Sequence, residues 1–376
     1  MRIPLTLSCF FLACLMLVSV MATHLVAQVT SNEDKASAAP ASPNTALLAE
    51  TKIKADAGDA AAQYALGRAY EDGQGVPQDD DKAVLWYRKS ADQGFAKAQT
   101  ALGVMYRLGR GVEQDKAEAV RWYEKAAKQQ DPAALFNLAV AHYNGDGVGP
   151  NTWTAYKYFL IARKAGSKAA EDGVNRIAAT LRPDEIGTSM LEIGEMYESG
   201  RGVGQSYSEA AAWYEEAIRR GNHTAPVNLA RLYDNGTGVA QDFSKALALC
   251  EVAAKRQVSR AQVCAGFHYQ RGWGVQKNPL EAAKWYEEAM KLNNGMAFYL
   301  LGHMYLSGEG VNLDKRRGYE YVLLVAAAGD PEARREVDNL KTEIDPKDAK
   351  RAEHDARAWV KSHGEASLLK LRMSMK

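Results

Sequence analysis

The sequence predicts an all-α chain, an α/α superhelical solenoid of seven helix-pair repeats, and three observations predict it. A Gly-Val pair recurs at Gly75, Gly111, Gly147, Gly202, Gly238, Gly274 and Gly310, spaced by 36, 36, 55, 36, 36 and 36 residues. A constant period in the range of about 20–50 residues marks one supersecondary unit stacked on copies of itself. Eight residues after these glycines stand Ala83, Ala119, Ala155, Ala210, Ala246, Ala282 and Gly318, and eight before them Gly67, Gly103, Ala139, Gly194, Ala230, Gly266 and Gly302. Columns that admit nothing beyond a methyl group are what closely crossing helices require.

At the N-terminus, Met1-Arg-Ile-Pro leads into an apolar run to about Met21, and Val20-Met-Ala22 or Leu25-Val-Ala27 offers a small-residue cleavage site. This is the pattern of a secretory signal peptide over residues 1–27. Cys14 does not read as a lipid-attachment site, because the apolar run continues well past it. Residues 28–46 are rich in Ser, Ala and Pro and read as a disordered linker.

The second repeat shows what each unit contains. Ala98, Leu102 and Met105 share one stripe of a first helix, and Leu108-Gly-Arg-Gly-Val112 stops it with two glycines that permit positive φ. A second helix opens at Asp115, its acidic start suited to the positive helix end, and places Ala119, Trp122, Tyr123 and Ala126 on one face. Across the repeats, Leu66, Leu102, Leu138, Ile193, Leu229, Ala265 and Leu301 fill one core column and Trp86, Trp122, Tyr158, Trp213, Leu249, Trp285 and Tyr321 another.

Ala62-Gln-Tyr-Ala-Leu-Gly-Arg-Ala-Tyr-Glu-Asp-Gly-Gln-Gly-Val76 followed by Ala83-Val-Leu-Trp-Tyr-Arg-Lys-Ser-Ala91 resembles the Sel-one-like repeat, a tetratricopeptide-like helix pair, over roughly residues 60–360. His142, Leu249-Cys250 and Gly318 depart from that pattern locally. The resemblance implies an exported bacterial member whose first helices line a concave wall, and a non-catalytic scaffold or adaptor that binds a partner protein through that wall. A secreted factor binding a host protein or a carbohydrate is the alternative it carries. A cell-wall or β-lactam hydrolase, an activity attached to cysteine-rich relatives, lacks its nucleophile motif here.

The one long spacing exceeds the period by about one helix and a turn. Gly166, Ala170, Val174, Ile177, Leu181 and Pro183 recur 163 residues later as Gly329, Ala333, Val337, Leu340, Ile344 and Pro346. The second copy follows the last repeat as an end cap, so the first reads as a former cap. The chain is then a first array over 47–187 and a second over 188–360, with a change of direction or a hinge between them. A basic tail, 361–376, either docks on an acidic surface or frays as termini usually do.

With 47 Lys and Arg against 46 Asp and Glu, the charge implies no nucleic-acid partner, and beyond the signal no run is apolar enough for membrane insertion. Cys250 and Cys264 flank the turn at Gln257 at equal distances on antiparallel neighbours, which suits a disulfide in an oxidising compartment. His268 lies one turn from Cys264, but no fourth ligand is evident, so no metal site and no cofactor is expected. The sequence carries no Gly-x-Ser-x-Gly and no phosphate-binding loop, and its Gly-x-Gly pairs end helices, so no catalytic residue is assigned.

Recognition then falls to columns that vary while packing columns stay fixed. Seven and four residues before the Gly lie Val104, Arg107, Val140, Tyr143, Arg231, Asp234, Phe267 and Gln270, and Arg271 and Trp273 stand in the sixth repeat's turn. Trp273 occupies a place otherwise held by polar residues, and an aromatic so placed anchors either an interface or local packing.

Overall fold

The computed structural model describes residues 45–375, and the signal peptide and nearly all of the linker read from the sequence lie outside them. Among the described residues there are eighteen helices and no strand. They pack into two compact units, one running to Arg182 together with Ser199–Gln205, the other comprising Pro183–Glu198 and Ser206 onward.

The first unit holds α1 (Thr45–Asp56), then the pairs α2 (Ala60–Asp72) with α3 (Asp80–Asp92), α4 (Ala96–Leu108) with α5 (Lys116–Ala127) and α6 (Pro132–Asn144) with α7 (Thr152–Lys164), and finally α8 (Ala170–Ala178). The second holds α9 (Pro183–Ser199) with α10 (Tyr207–Arg219), α11 (Ala225–Asn235) with α12 (Phe243–Ala254), α13 (Ser259–Arg271) with α14 (Pro279–Lys291), α15 (Gly295–Ser307) with α16 (Lys315–Ala327), and then α17 (Pro331–Glu343) and α18 (Pro346–Ser374).

The turn between paired helices works as its glycines require. Gly109 adopts φ 69° and its N–H donates to the Met105 carbonyl, closing α4. Gly111, at φ 60°, lies so near the Asp80 carbonyl that a Cβ there would overlap the backbone of the preceding repeat. One glycine thus ends the helix and the next locks the turn onto its neighbour. The acidic start of the second helix is more specific than a dipole effect. Asp115 lies outside α5 as its N-cap, and its carboxylate accepts from the Glu118 N–H at 2.9 Å.

The small columns serve the neighbouring tyrosines. A Cβ on Gly103 would sit 2.5 Å from the Tyr123 ring and 3.1 Å from the Ala119 carbonyl, and Gly67, Gly194 and Gly266 face Tyr87, Tyr214 and Tyr286 in the same way. Where the first helix carries Ala139 or Ala230 instead, the partner position is Phe159 or Cys250. The motif read as duplicated keeps several features in both copies, although its helix has nine residues in α8 and thirteen in α17. Gly166 and Gly329 share φ 102°, Ala170 and Ala333 are fully buried, and Pro183 and Pro346 each open a helix.

The C-terminal segment does not fray. After Gly364, which breaks α18 at φ 70°, the helix resumes and buries Leu371 completely against the cluster around Phe298. The sequence under-reads this because Leu368, Leu371 and Met375 make only about two turns of amphipathic pattern, too little to separate a docked helix from a loose end.

Candidate partner-binding groove

Residues facing the first-helix side are held from within. In the column four before the Gly, Glu71 accepts from the Tyr87 hydroxyl at 2.5 Å, Glu198 from Tyr214 at 2.8 Å, and the Gln270 side-chain oxygen from Tyr286 at 2.9 Å. Arg107 stands beside the Tyr123 hydroxyl. Each of these four tyrosines therefore passes the glycine opposite it and ends beside the side chain four residues before the Gly on its first helix. Burial and the neighbouring carboxylate push the phenol of Tyr87 up, as they do that of Tyr214.

The third, fifth and seventh repeats lack this tyrosine, carrying Phe159, Cys250 and Val322 instead, and in the fifth the consequences gather in one place. Cys250 takes the tyrosine's position and is fully buried, so Asp234 has no phenol to accept from. Two residues of α13 take over. Cys264 bonds to Cys250, with Cα atoms 5.9 Å apart, and His268, 1% exposed, puts Nε2 3.1 Å from the Asp234 carboxylate. Its Nδ1 lies 3.0 Å from the Trp273 carbonyl, which fixes the turn. Asp234, Cys264 and His268 lie close enough together to suggest a metal site, but Cys264 has spent its sulfur on the disulfide and His268 both its nitrogens.

Over this cluster the second unit opens a cleft of about 450 Å³. Val227, Arg231 and Asp234 of α11 form one wall, Arg260, Val263 and Phe267 of α13 the floor, and Met296 and Leu300 of α15 the other wall, with Ser374 and Met375 closing one end. Trp273 stands at the rim, 37% exposed, stacked on Phe243 at 4.9 Å and edge-on to Phe267 at 5.2 Å. It is packed against these two rings and partly open to solvent. Arg271 lies over the Phe267 ring at 5.3 Å.

Of the expected recognition residues, Arg231, Asp234, Phe267 and Trp273 meet in this cleft. Gln270 does not line it. Its side chain is occupied by Tyr286 and by Glu309, 3.1 Å away. Arg231 is tied to Glu198 at 2.5 Å. Val104, Arg107, Val140 and Tyr143 are half-buried residues of the first unit, outside the cleft. Sequence reasoning missed Arg260, which is exposed and carries no ion pair among the described residues, along with Val263, Met296 and Leu300. These stand in the opening turns of the first helices, and the departure of Cys250 from the tyrosine column was the signal that pointed to this repeat.

Comparison with known proteins bears on the repeat itself. The Sel1 repeat family model matches residues 60–95, 96–131, 132–167, 188–222, 227–258, 259–294 and 296–330. A protective antigen present in uropathogenic Escherichia coli strains and displaying an SLR fold is 29% identical, with a TM-score of 0.43 over 85% of this chain and 73% of that one. A Sel1 repeat protein from Oxalobacter formigenes is 28% identical, with a TM-score of 0.39 over 78% and 79%. No curated protein matches the chain.

Proposed function

The chain belongs to the Sel1 repeat family, and on that premise we propose that it is a non-catalytic scaffold of the bacterial envelope, binding a partner protein through the cleft of its second unit. Repeats of this family generally build protein-interaction surfaces, and this chain carries its apolar, aromatic and cationic groups where such a surface needs them. One observation carries the reading: Phe267 and Trp273 stand partly open in a cleft beside Arg260, a guanidinium with no ion-pair partner among the described residues. Aromatic and arginine anchors in a concave, partly desolvated setting are the usual energetic centres of protein interfaces. The arginine favours a partner presenting a carboxylate next to an apolar side chain.

The test is capture of partners from envelope extract by the exported chain, beside an Arg260→Glu, Phe267→Ala, Trp273→Ala variant of matched melting temperature. Partners held by the parent and lost by the variant are the expected result. An identical set on both would move the binding surface elsewhere.

A further inference from the structure

The groove is closed at one end by the chain's own C-terminal segment, and the way it is seated describes a second binding surface. Gly295, the first residue of α15, donates its N–H to the Ser374 hydroxyl at 2.6 Å, and Ser374 in turn donates to the Leu371 carbonyl at 2.9 Å. Asn293 adds a bond to Ser367 at 3.3 Å. A Cβ on Gly295 would overlap the Leu371 carbonyl oxygen, so the segment crosses α15 at a place only glycine leaves open. The same position in the other repeats holds Ala60, Ala96, Pro132, Gly187, His223 and Ser259. Gly295 differs from Gly187 in what it faces: a Cβ there would meet the Leu371 carbonyl oxygen at 2.4 Å, whereas one on Gly187 would meet the Arg220 carbonyl oxygen at 3.2 Å.

The seat is small and hinged. Leu371 is the only fully buried side chain among the segment's described residues, with Leu368 and Met375 packed beside it. Residues 361–366 are exposed and Gly364 breaks the helix among them. Leu369 and Met373, one turn apart, are 56% and 67% exposed.

We propose that the opening of α15 is a helix-docking site held in cis by residues 365–375, and that the partner it takes is an amphipathic helix of the same pattern. Such a helix has apolar residues three and four apart and a serine or threonine placed to receive the Gly295 amide. It docks by exchange, the cis segment swinging out about Gly364. This deepens the reading of the first-helix side as the binding surface and rests on it for its role in the cell, but the assay below contains no cellular partner, so the two fail separately.

The probe is a fluorescent peptide of residues 365–375 added to the full-length chain. Against the parent it competes with its own covalent copy, whose effective concentration is millimolar. In a Leu371→Asp chain that copy is released, and binding tightens by at least about tenfold. Gly295→Ala placed on the Leu371→Asp chain returns binding to the parent level, because the added methyl fills the crossing point. Equal binding to parent and Leu371→Asp chains, or insensitivity to Gly295→Ala, overturns the proposal. Should Leu371→Asp lower the melting temperature of the whole unit, amide exchange in the Gly295→Ala chain decides instead. Residues 365–375 then exchange at least about tenfold faster while α16 stays unchanged, and equal acceleration of both overturns the proposal.

Discussion

His268 shows at the scale of one residue what a departure from the repeat pattern costs and how it is met. Its two ring nitrogens face the Trp273 carbonyl and the Asp234 carboxylate, both acceptors, so the charged ring with hydrogen on both nitrogens is the form these partners favour. Burial opposes that charge, but the bonds to Asp234 and Trp273 outweigh it and hold the pKa above the ordinary 6.5. Because the folded value is the higher one, the stabilisation is complete below 6.5 and is lost as pH rises through the raised value. The expected outcome is a melting temperature that falls between pH 6 and pH 9 for the parent and changes far less for His268→Gln. At pH 6 the variant should be weaker by the worth of a charge-assisted bond, about 1.5–3 kcal/mol. Differential scanning fluorimetry across pH reads both, and parallel curves would refute the imidazolium.

At the scale of elements, α12 and α13 are joined by a covalent bond from one repeat to the next, made by the cysteine that stands in the fifth repeat's tyrosine position. Closing a loop of 14 residues contributes up to about 3 kcal/mol. Dithiol reduction, or Cys250→Ser, should therefore lower the melting temperature of the second unit, and Cys264→Ser should lose no further stability once Cys250 is gone. A thermal denaturation series on the single and double variants checks this. The helices and turns were legible because their signals are local and repeated: apolar residues at helical spacing, two glycines, then a capping Asp or Asn. The core columns were legible for the same reason. The groove was half legible. Phe267 and Trp273 stood out as apolar residues in polar columns, whereas Arg260 and Leu300 look ordinary in sequence and matter only because α11, α13 and α15 bring their opening turns together. Gln270 looked free and is not, since a partner sixteen residues away claims it.

Taken whole, the molecule is electrically balanced, with a formal charge of +1. Among the described residues some ion pairs, such as Arg110 with Asp80 and Lys277 with Glu309, tie one repeat to the next, and many others are short-range and exposed, such as Lys54 with Glu50 and Lys284 with Glu281. Pairs of that kind contribute little and are screened by salt. Raising the salt from about 0.05 to about 0.5 M should then move the melting temperature by less than about 5 °C, and a larger shift would mean that long-range electrostatics hold the stack together. The tyrosines that end on Glu71, Glu198 and Gln270 have a further consequence, for descent rather than for stability. A lineage changing its ligand is not free to sample every outward position equally. Each of those three is tethered to a buried ring and drifts only if the ring drifts with it, whereas Val104, Arg260 and Phe267 carry no such tether. New specificities should arise first at the untethered positions, and anyone grafting a foreign recognition surface onto this scaffold would do well to leave the tethered ones alone.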